Sequence, residues 1–303
     1  MLRFAHLILG LSLVLFACQP AFLAQPASNT LRRQSVSQTP PSGGSLTGQF
    51  RLHAQVKSNY LKYQRDVLVW LPPGYEANPT RRYPVLYMHD GNNLFDTRTS
   101  FGGSEWQVDE RTGELIRQGS IEPIIIVGIY NTAGRMEEYT WYNDELDGQT
   151  LGGEGANYAR FLAEELKPMI DKTYRSLTGR EHTGVMGSSL GGLISFYIGM
   201  QYPQIFGQIG MMSPSIWWKD RAILADVAKL SPDSKIWVDM GTQEGQRPEI
   251  MLQNTKDFVQ ALEKRGFQHF KNLAFHVENG AGHNEQAWSQ RIHRPLQFFY
   301  GAH

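Results

Sequence analysis

The chain has 303 residues, 41% of them hydrophobic and 19% charged, enough for one large α/β domain or two small ones and for a core that needs no disulfide staples. Basic and acidic side chains number 29 each, and with no run of like charge the composition excludes the electrostatic footprint of a nucleic-acid binder. Cys18 is the only cysteine, so no intramolecular disulfide is available.

In chain order, Arg3 precedes an apolar run over residues 7–17. That run is too short to span a membrane and has the shape of a secretory signal. It ends in Leu15-Phe16-Ala17-Cys18, which resembles a bacterial lipoprotein lipobox. The resemblance implies cleavage after residue 17, lipidation of Cys18, and an exported, periplasmic or cell-envelope protein. Its membrane contact would then be the lipid anchor. Residues 18–47 are rich in Pro, Ser, Gly, Gln and Thr and read as a disordered tether. Residues 48–303 are expected to form one catalytic domain.

Within that domain, residues 51–57 and 67–71 read as strands without a helix between them, which predicts an antiparallel edge. Apolar runs at 83–88 and 121–127 have the character of buried parallel strands. Further strands are expected at 182–186, 206–212, 235–240 and 273–277. Helices are expected at 106–117, 158–174, 190–200, 221–230, 251–265 and 284–299. The alternation predicts an α/β fold with a mostly parallel central sheet and helices on both faces.

Gly187-Ser188-Ser189-Leu190-Gly191 is a G-x-S-x-G motif between a predicted strand and a predicted helix, the context in which the motif marks a nucleophile. The flanking glycines centre on Ser189. The Leu190 N–H would open the helix beside a developing oxyanion. A second N–H is expected from His89-Asp90-Gly91-Asn92-Asn93, with Asn92 preferred and Gly91 or Asn93 as alternatives. His89 and Asp90 read as structural rather than as a metal pair, and no zinc motif is present.

A serine nucleophile needs a base held by a carboxylate. His283 stands in a Gly-rich loop between the last predicted strand and helix. His276 lies inside a strand, and His269 and His293 read as surface residues. Glu244 occupies the loop after strand 235–240; Asp239, within that strand, is its rival, and a Ser–His dyad is the third possibility. Aromatic residues in loops, Trp106, Tyr139, Trp141, Trp217 and Trp218, are candidates for substrate contact. Arg135 is placed to meet a substrate carboxylate, or else Glu137 or Glu138. Gly152-Gly153-Glu154-Gly155 reads as a flexible rim.

Taken with Leu71-Pro72-Pro73-Gly74-Tyr75, the segment 105–110, Glu138-Tyr139-Thr140 and Ser213-Pro214-Ser215, these motifs resemble the esterase family that contains esterase D, enterochelin esterases and feruloyl or acetylxylan esterases. The resemblance covers about residues 67–299. It implies the α/β-hydrolase fold and a Ser189–His283–Glu244 triad. It also implies an oxyanion hole at Leu190 and Asn92, and a site without cofactor or metal. The expected substrate is a small-molecule or saccharide ester: a siderophore lactone, or a feruloyl or acetyl sugar. An exported acyltransferase of the same fold and a binding lipoprotein without catalysis are the competing readings.

Overall fold

The computed structural model describes residues 44–301. The expected signal, the Cys18 lipidation site and most of the tether lie outside the described residues. Ser45 and Thr47, at the end of the expected tether, already touch the domain: the Thr47 N–H donates to Asp109 Oδ2 at 2.6 Å, and Trp70 Nε1 donates to the Thr47 carbonyl.

Ten strands are present among the described residues: β1 (Gln49–Val56), β2 (Arg65–Leu71), β3 (Val85–Met88), β4 (Ile125–Ile129), β5 (Asn143–Leu146), β6 (Gln149–Gly152), β7 (Thr183–Ser188), β8 (Gln208–Met212), β9 (Lys235–Gln243) and β10 (Leu273–Gly282). Eight form one sheet in the order β1-β2-β4-β3-β7-β8-β9-β10. β1 pairs antiparallel with β2, and β2 antiparallel with β4; every later pair is parallel. The expected antiparallel N-terminal edge is therefore present.

Strand alternation sorts the core onto two faces. Val85, Tyr87, Val185, Ile209 and Val238 point into one cluster, shared with Leu193, Ile194 and Phe196 of helix Leu190–Gln201 and with Phe258 and Leu262 of helix Pro248–Arg265. Leu86, Met88, Met186, Met212 and Trp237 point into the other, with Val108 and Leu115 of helix Val108–Arg117 and Trp288, Leu296 and Phe299 of the last two helices. Central strands buried on both faces explain the unbroken apolar runs of the sequence.

Several expected elements differ in extent. The strand expected at 121–127 starts four residues later, at Ile125. The helix expected at 158–174 runs from Gly155 to Thr173 with π-helical turns at Phe161–Leu166. Pro168 explains the widened stretch, because it has no N–H to give to the carbonyl one turn back. The helix expected at 221–230 is broken into short turns, with left-handed backbone at Lys219, Asp220 and Arg221. The helix expected at 284–299 is two, Glu285–Arg291 and His293–Tyr300.

One element was not expected. β5 and β6 form a hairpin closed by Asp147 (φ 50°) and Gly148 (φ 76°), both left-handed as a tight two-residue turn requires. Residues 152–155, expected as a flexible rim, are instead packed. Gly152 and Gly153 have positive φ, and a Cβ at Gly152 would lie 2.3 Å from Thr140 Oγ1, so this backbone is held against Thr140.

Candidate active site

Ser189 sits between β7 and helix Leu190–Gln201 at φ 57°, ψ −123°, outside the ordinary regions for a residue with a Cβ. The turn closes because its flanking glycines touch: a Cβ on Gly187 would lie 2.9 Å from the Gly191 carbonyl carbon. Its ends are fixed by the Ser189 N–H on the Met212 carbonyl (3.0 Å) and the Leu193 N–H on the Ser189 carbonyl (3.1 Å). The strained turn ends the strand at Ser188 and starts a 12-residue helix at Leu190, which brings the positive end of the helix dipole beside Ser189.

His283 stands at the end of the last strand region, between Gly282 and Asn284. Its Nδ1 lies 2.9 Å from Glu244 Oε2, and its ring meets Trp288 edge-on at 5.0 Å. Glu244 is buried. Its other oxygen, Oε1, accepts from the Gly241 N–H at 2.6 Å, from Ser213 Oγ at 2.6 Å and from Arg291 Nη2 at 3.3 Å. With Oε1 filled by donors, Oε2 is left to accept the Nδ1 proton of His283, which leaves Nε2 with a lone pair. The structure thus pairs Glu244, not Asp239, with the histidine. Asp239 is buried one layer behind: it accepts from Arg291 Nε at 2.9 Å and Trp237 Nε1 at 2.7 Å. Burial holds its carboxyl above the usual range even against Arg291.

Ser213 joins the two layers. Its hydroxyl accepts from Trp288 Nε1 (2.9 Å) and Arg291 Nη2 (2.6 Å), so its one proton goes to Glu244. Arg291 is 1% exposed in its side chain and faces both Asp239 and Glu244. The sequence reading missed Arg291, Ser213 and Trp288 as parts of this arrangement. The sequence gives little signal for it: Arg291 and Arg294 both stand in the stretch of Trp288, Ile292, Leu296 and Phe299 that follows His283, and only the fold separates them.

Two cavities meet at Ser189 and His283. One, of about 190 Å³, is walled by Pro214, Trp217, Met240 and Met251, with Ser215 beside the nucleophile. The other, of about 380 Å³, is polar: Asn92, Asn131, Arg135 and Glu285, with Phe101 at its rim. Burial pushes the Glu285 carboxyl upward. Asn92 faces this second cavity, whereas the Asn93 N–H is spent on the Asp90 carbonyl at 2.8 Å. Asp90 itself binds Arg135 through two bonds (2.7 and 2.8 Å) and Asn131 at 2.6 Å. Burial alone would raise the Asp90 carboxyl, but the charge and bonds of Arg135 and the bond from Asn131 outweigh it and hold it below its ordinary value. His89 is buried with Nδ1 on the Tyr158 hydroxyl, and burial lowers it to about 3, so it is a neutral structural ring.

Of the aromatic candidates for substrate contact, Trp217 lines a cavity; the other four do not. Trp106 is buried against Trp288. Tyr139 is buried between His89 and Tyr158. Trp141 stacks on Tyr197 at 4.8 Å and bonds Asp226, and buried Trp218 donates to the Tyr142 carbonyl. Loops placed these rings near the strand ends, but burial of their apolar area turned them into the core. Arg135 does line the polar cavity, with Asp90 as its partner rather than Glu137 or Glu138.

An α/β sheet of this order, with a serine on a strained turn beside a His–carboxylate pair, is the architecture of a serine hydrolase. The chain belongs to the family described as "Putative esterase", whose model matches residues 58–299. It is 29% identical over 245 residues to the uncharacterized protein YbbA of Bacillus subtilis (strain 168), covering 78% of this chain and 93% of that one. Over 162 residues it is 32% identical to the ferri-bacillibactin esterase BesA of the same organism, covering 48% of this chain and 52% of BesA. A solved ferulic acid esterase shares the fold, with a TM-score of 0.63 at 21% identity over 83% of this chain and 98% of that one. The protein is therefore an esterase of the serine hydrolase class.

Proposed function

We propose that this protein is an exported, lipid-anchored carboxylic-ester hydrolase that works through an acyl-enzyme on Ser189. The observation that carries the reading is the meeting of Ser189, on its strained turn, with the Glu244-bonded His283 at the junction of two cavities. His283 Nε2 takes the Ser189 proton as its oxygen attacks the ester carbonyl. The oxyanion rests on the N–H groups of Leu190 and Asn92. His283 then protonates the leaving alcohol and activates the water that releases the acid, while Glu244 holds the ring in one tautomer.

The cavities support an ester with one apolar and one polar half. Siderophore lactone esters and feruloyl or acetyl sugar esters both meet that description. The 32% identity to a ferri-bacillibactin esterase supports the first; the fold shared with a ferulic acid esterase is compatible with the second.

Hydrolysis of p-nitrophenyl acetate and butyrate by the wild type and Ser189→Ala tests the nucleophile. Ser189→Ala is expected to lose several powers of ten in kcat/KM; equal rates would remove Ser189 from the mechanism. Export and anchoring rest on the lipobox resemblance of residues 15–18. Cys18→Ala is expected to move the expressed protein from the membrane fraction to the soluble one, and an unchanged distribution would reject the anchor.

A further inference from the structure

The Ser213-Pro214-Ser215 turn touches both ends of the reacting machinery. Ser213 holds Glu244, as described above. Ser215, two residues on, places its hydroxyl 3.2 Å from the Ser189 hydroxyl. The turn that carries it is tied down on every side. The Ser213 N–H donates to the Asp239 carbonyl at 2.9 Å, the Ser215 N–H donates to the Ser189 carbonyl at 3.1 Å, and the Ile216 N–H donates to the Pro214 carbonyl at 2.8 Å. Ser213 takes a left-handed φ of 43° to make the bend. Ser215 is 3% exposed, so its hydroxyl has a fixed place and little water. Among the described residues that hydroxyl has no hydrogen-bond partner other than Ser189 Oγ, and Ser189 Oγ has none to His283.

We propose that Ser215 is a positioning residue: it holds the Ser189 hydroxyl turned from His283 in the free enzyme and releases it when substrate fills the apolar cavity. The inference rests on Ser189 being the nucleophile. Its physical basis is an asymmetry between the two hydroxyls. To exchange Ser215 for His283, Ser189 Oγ must turn about its Cα–Cβ bond and leave Ser215 Oγ, whichever of the two hydroxyls donates. Ser215, nearly buried, loses its single partner in that exchange, and an unpartnered buried hydroxyl is disfavoured. The rotation toward His283 is therefore resisted until a polar atom of bound substrate, in the cavity that Ser215 lines, takes over the hydroxyl.

The test compares wild type, Ser215→Ala, Ser215→Thr and Ser189→Ala. A fluorophosphonate ester is the covalent probe, followed by intact mass, and p-nitrophenyl acetate is the substrate. Removing the hydroxyl removes one neutral hydrogen bond from the resting state, so Ser215→Ala is expected to label about three- to tenfold faster. Its kcat is expected to rise with KM little changed. Ser215→Thr keeps a hydroxyl and is expected to keep the slower wild-type labelling. A purely structural role for Ser215 would not speed labelling. Labelling of Ser215→Ala at or below the wild-type rate overturns the proposal, as does a Thr variant as fast as Ala. If Ser189→Ala labels as well as the wild type, the nucleophile reading itself fails and takes this inference with it. Loss of labelling in Ser189→Ala beside an unaccelerated Ser215→Ala sinks the inference alone.

Discussion

Two of the loops around the candidate site, those of Glu244 and Asn92, each lie beside an aspartate–arginine pair, and the two pairs have different surroundings. Beneath the Glu244 loop, Asp239 and Arg291 have side chains 0% and 1% exposed. Beside the Asn92 loop, Asp90 is 5% exposed but Arg135 is 30% exposed and lines the polar cavity. The ions are chemically alike; the burial is not. In the first pair, one guanidinium faces two carboxylates and a serine hydroxyl with no water to replace it, so it belongs to the scaffold. In the second, the guanidinium stands at the wall of the site, where solvent or substrate can share it. Depth therefore separates the two arginines: Arg291 is fixed against the carboxylate that bonds His283, and Arg135 stands in the wall of the polar cavity.

The largest expected effect tests the deep pair. Arg291→Met leaves Asp239 and Glu244 buried without their cation, and breaking such a pair by removing one partner costs about 3–5 kcal/mol. Urea denaturation at neutral pH should show that loss. Esterase assays on whatever fraction remains folded should show a fall in kcat with little change in KM, because Glu244 is held less firmly while the cavities keep their walls. Arg291→Met/Asp239→Asn should recover part of the stability by removing one of the stranded charges. A variant as stable as the wild type would break the comparison, since it would show that water reaches Glu244 and Asp239.

What was legible in the sequence follows the same division between local and tertiary determinants. Ser189 was legible because its turn is made by adjacent residues: Gly187 and Gly191 meet within the motif itself. His283 and Glu244 were legible because both follow strands of a parallel sheet, where loops at the strand ends gather. Trp106 and Trp217 could not be told apart, since both are loop tryptophans in sequence. One is buried against Trp288 and the other is 37% exposed at a cavity, a difference set by residues about 180 positions away in one case. The β5–β6 hairpin was missed although Asp147-Gly148 is a strong turn signal, because its flanks, Asn143-Asp144-Glu145 and Gln149-Thr150, are too polar to show strand alternation. Arg291 was missed for the opposite reason: its helix reads as an ordinary amphipathic one, and only the fold brings it 2.9 Å from Asp239.

The smaller effect sharpens the comparison at the rim. Arg135→Met removes a cation that solvent already shares, so the expected loss at neutral pH is about 1 kcal/mol, well below that of the buried pair. Its pH dependence separates it further. Arg135 and Asn131 hold Asp90 below its ordinary carboxyl value of 3.8. A depressed carboxyl contributes stability that is present above its unfolded pKa and is lost as pH falls through its folded one. Without Arg135 that depression goes, because burial of Asp90 remains and works the other way. Melting temperatures of wild type and variant should thus differ most near neutrality and converge only once the pH has fallen below 3.8 and through the depressed Asp90 value, where Asp90 is protonated in both. On esters with a polyhydroxylated alcohol, the variant should raise KM and leave kcat nearly unchanged, the reverse of Arg291→Met. A gap in melting temperature that persists unchanged into acid would mean that Arg135 acts through its guanidinium over the Tyr139 ring, 5.0 Å from the centroid, rather than through Asp90. The rim cation would then be held by an aromatic face more than by its carboxylate, and the contrast with the buried pair would lie in chemistry as well as in depth.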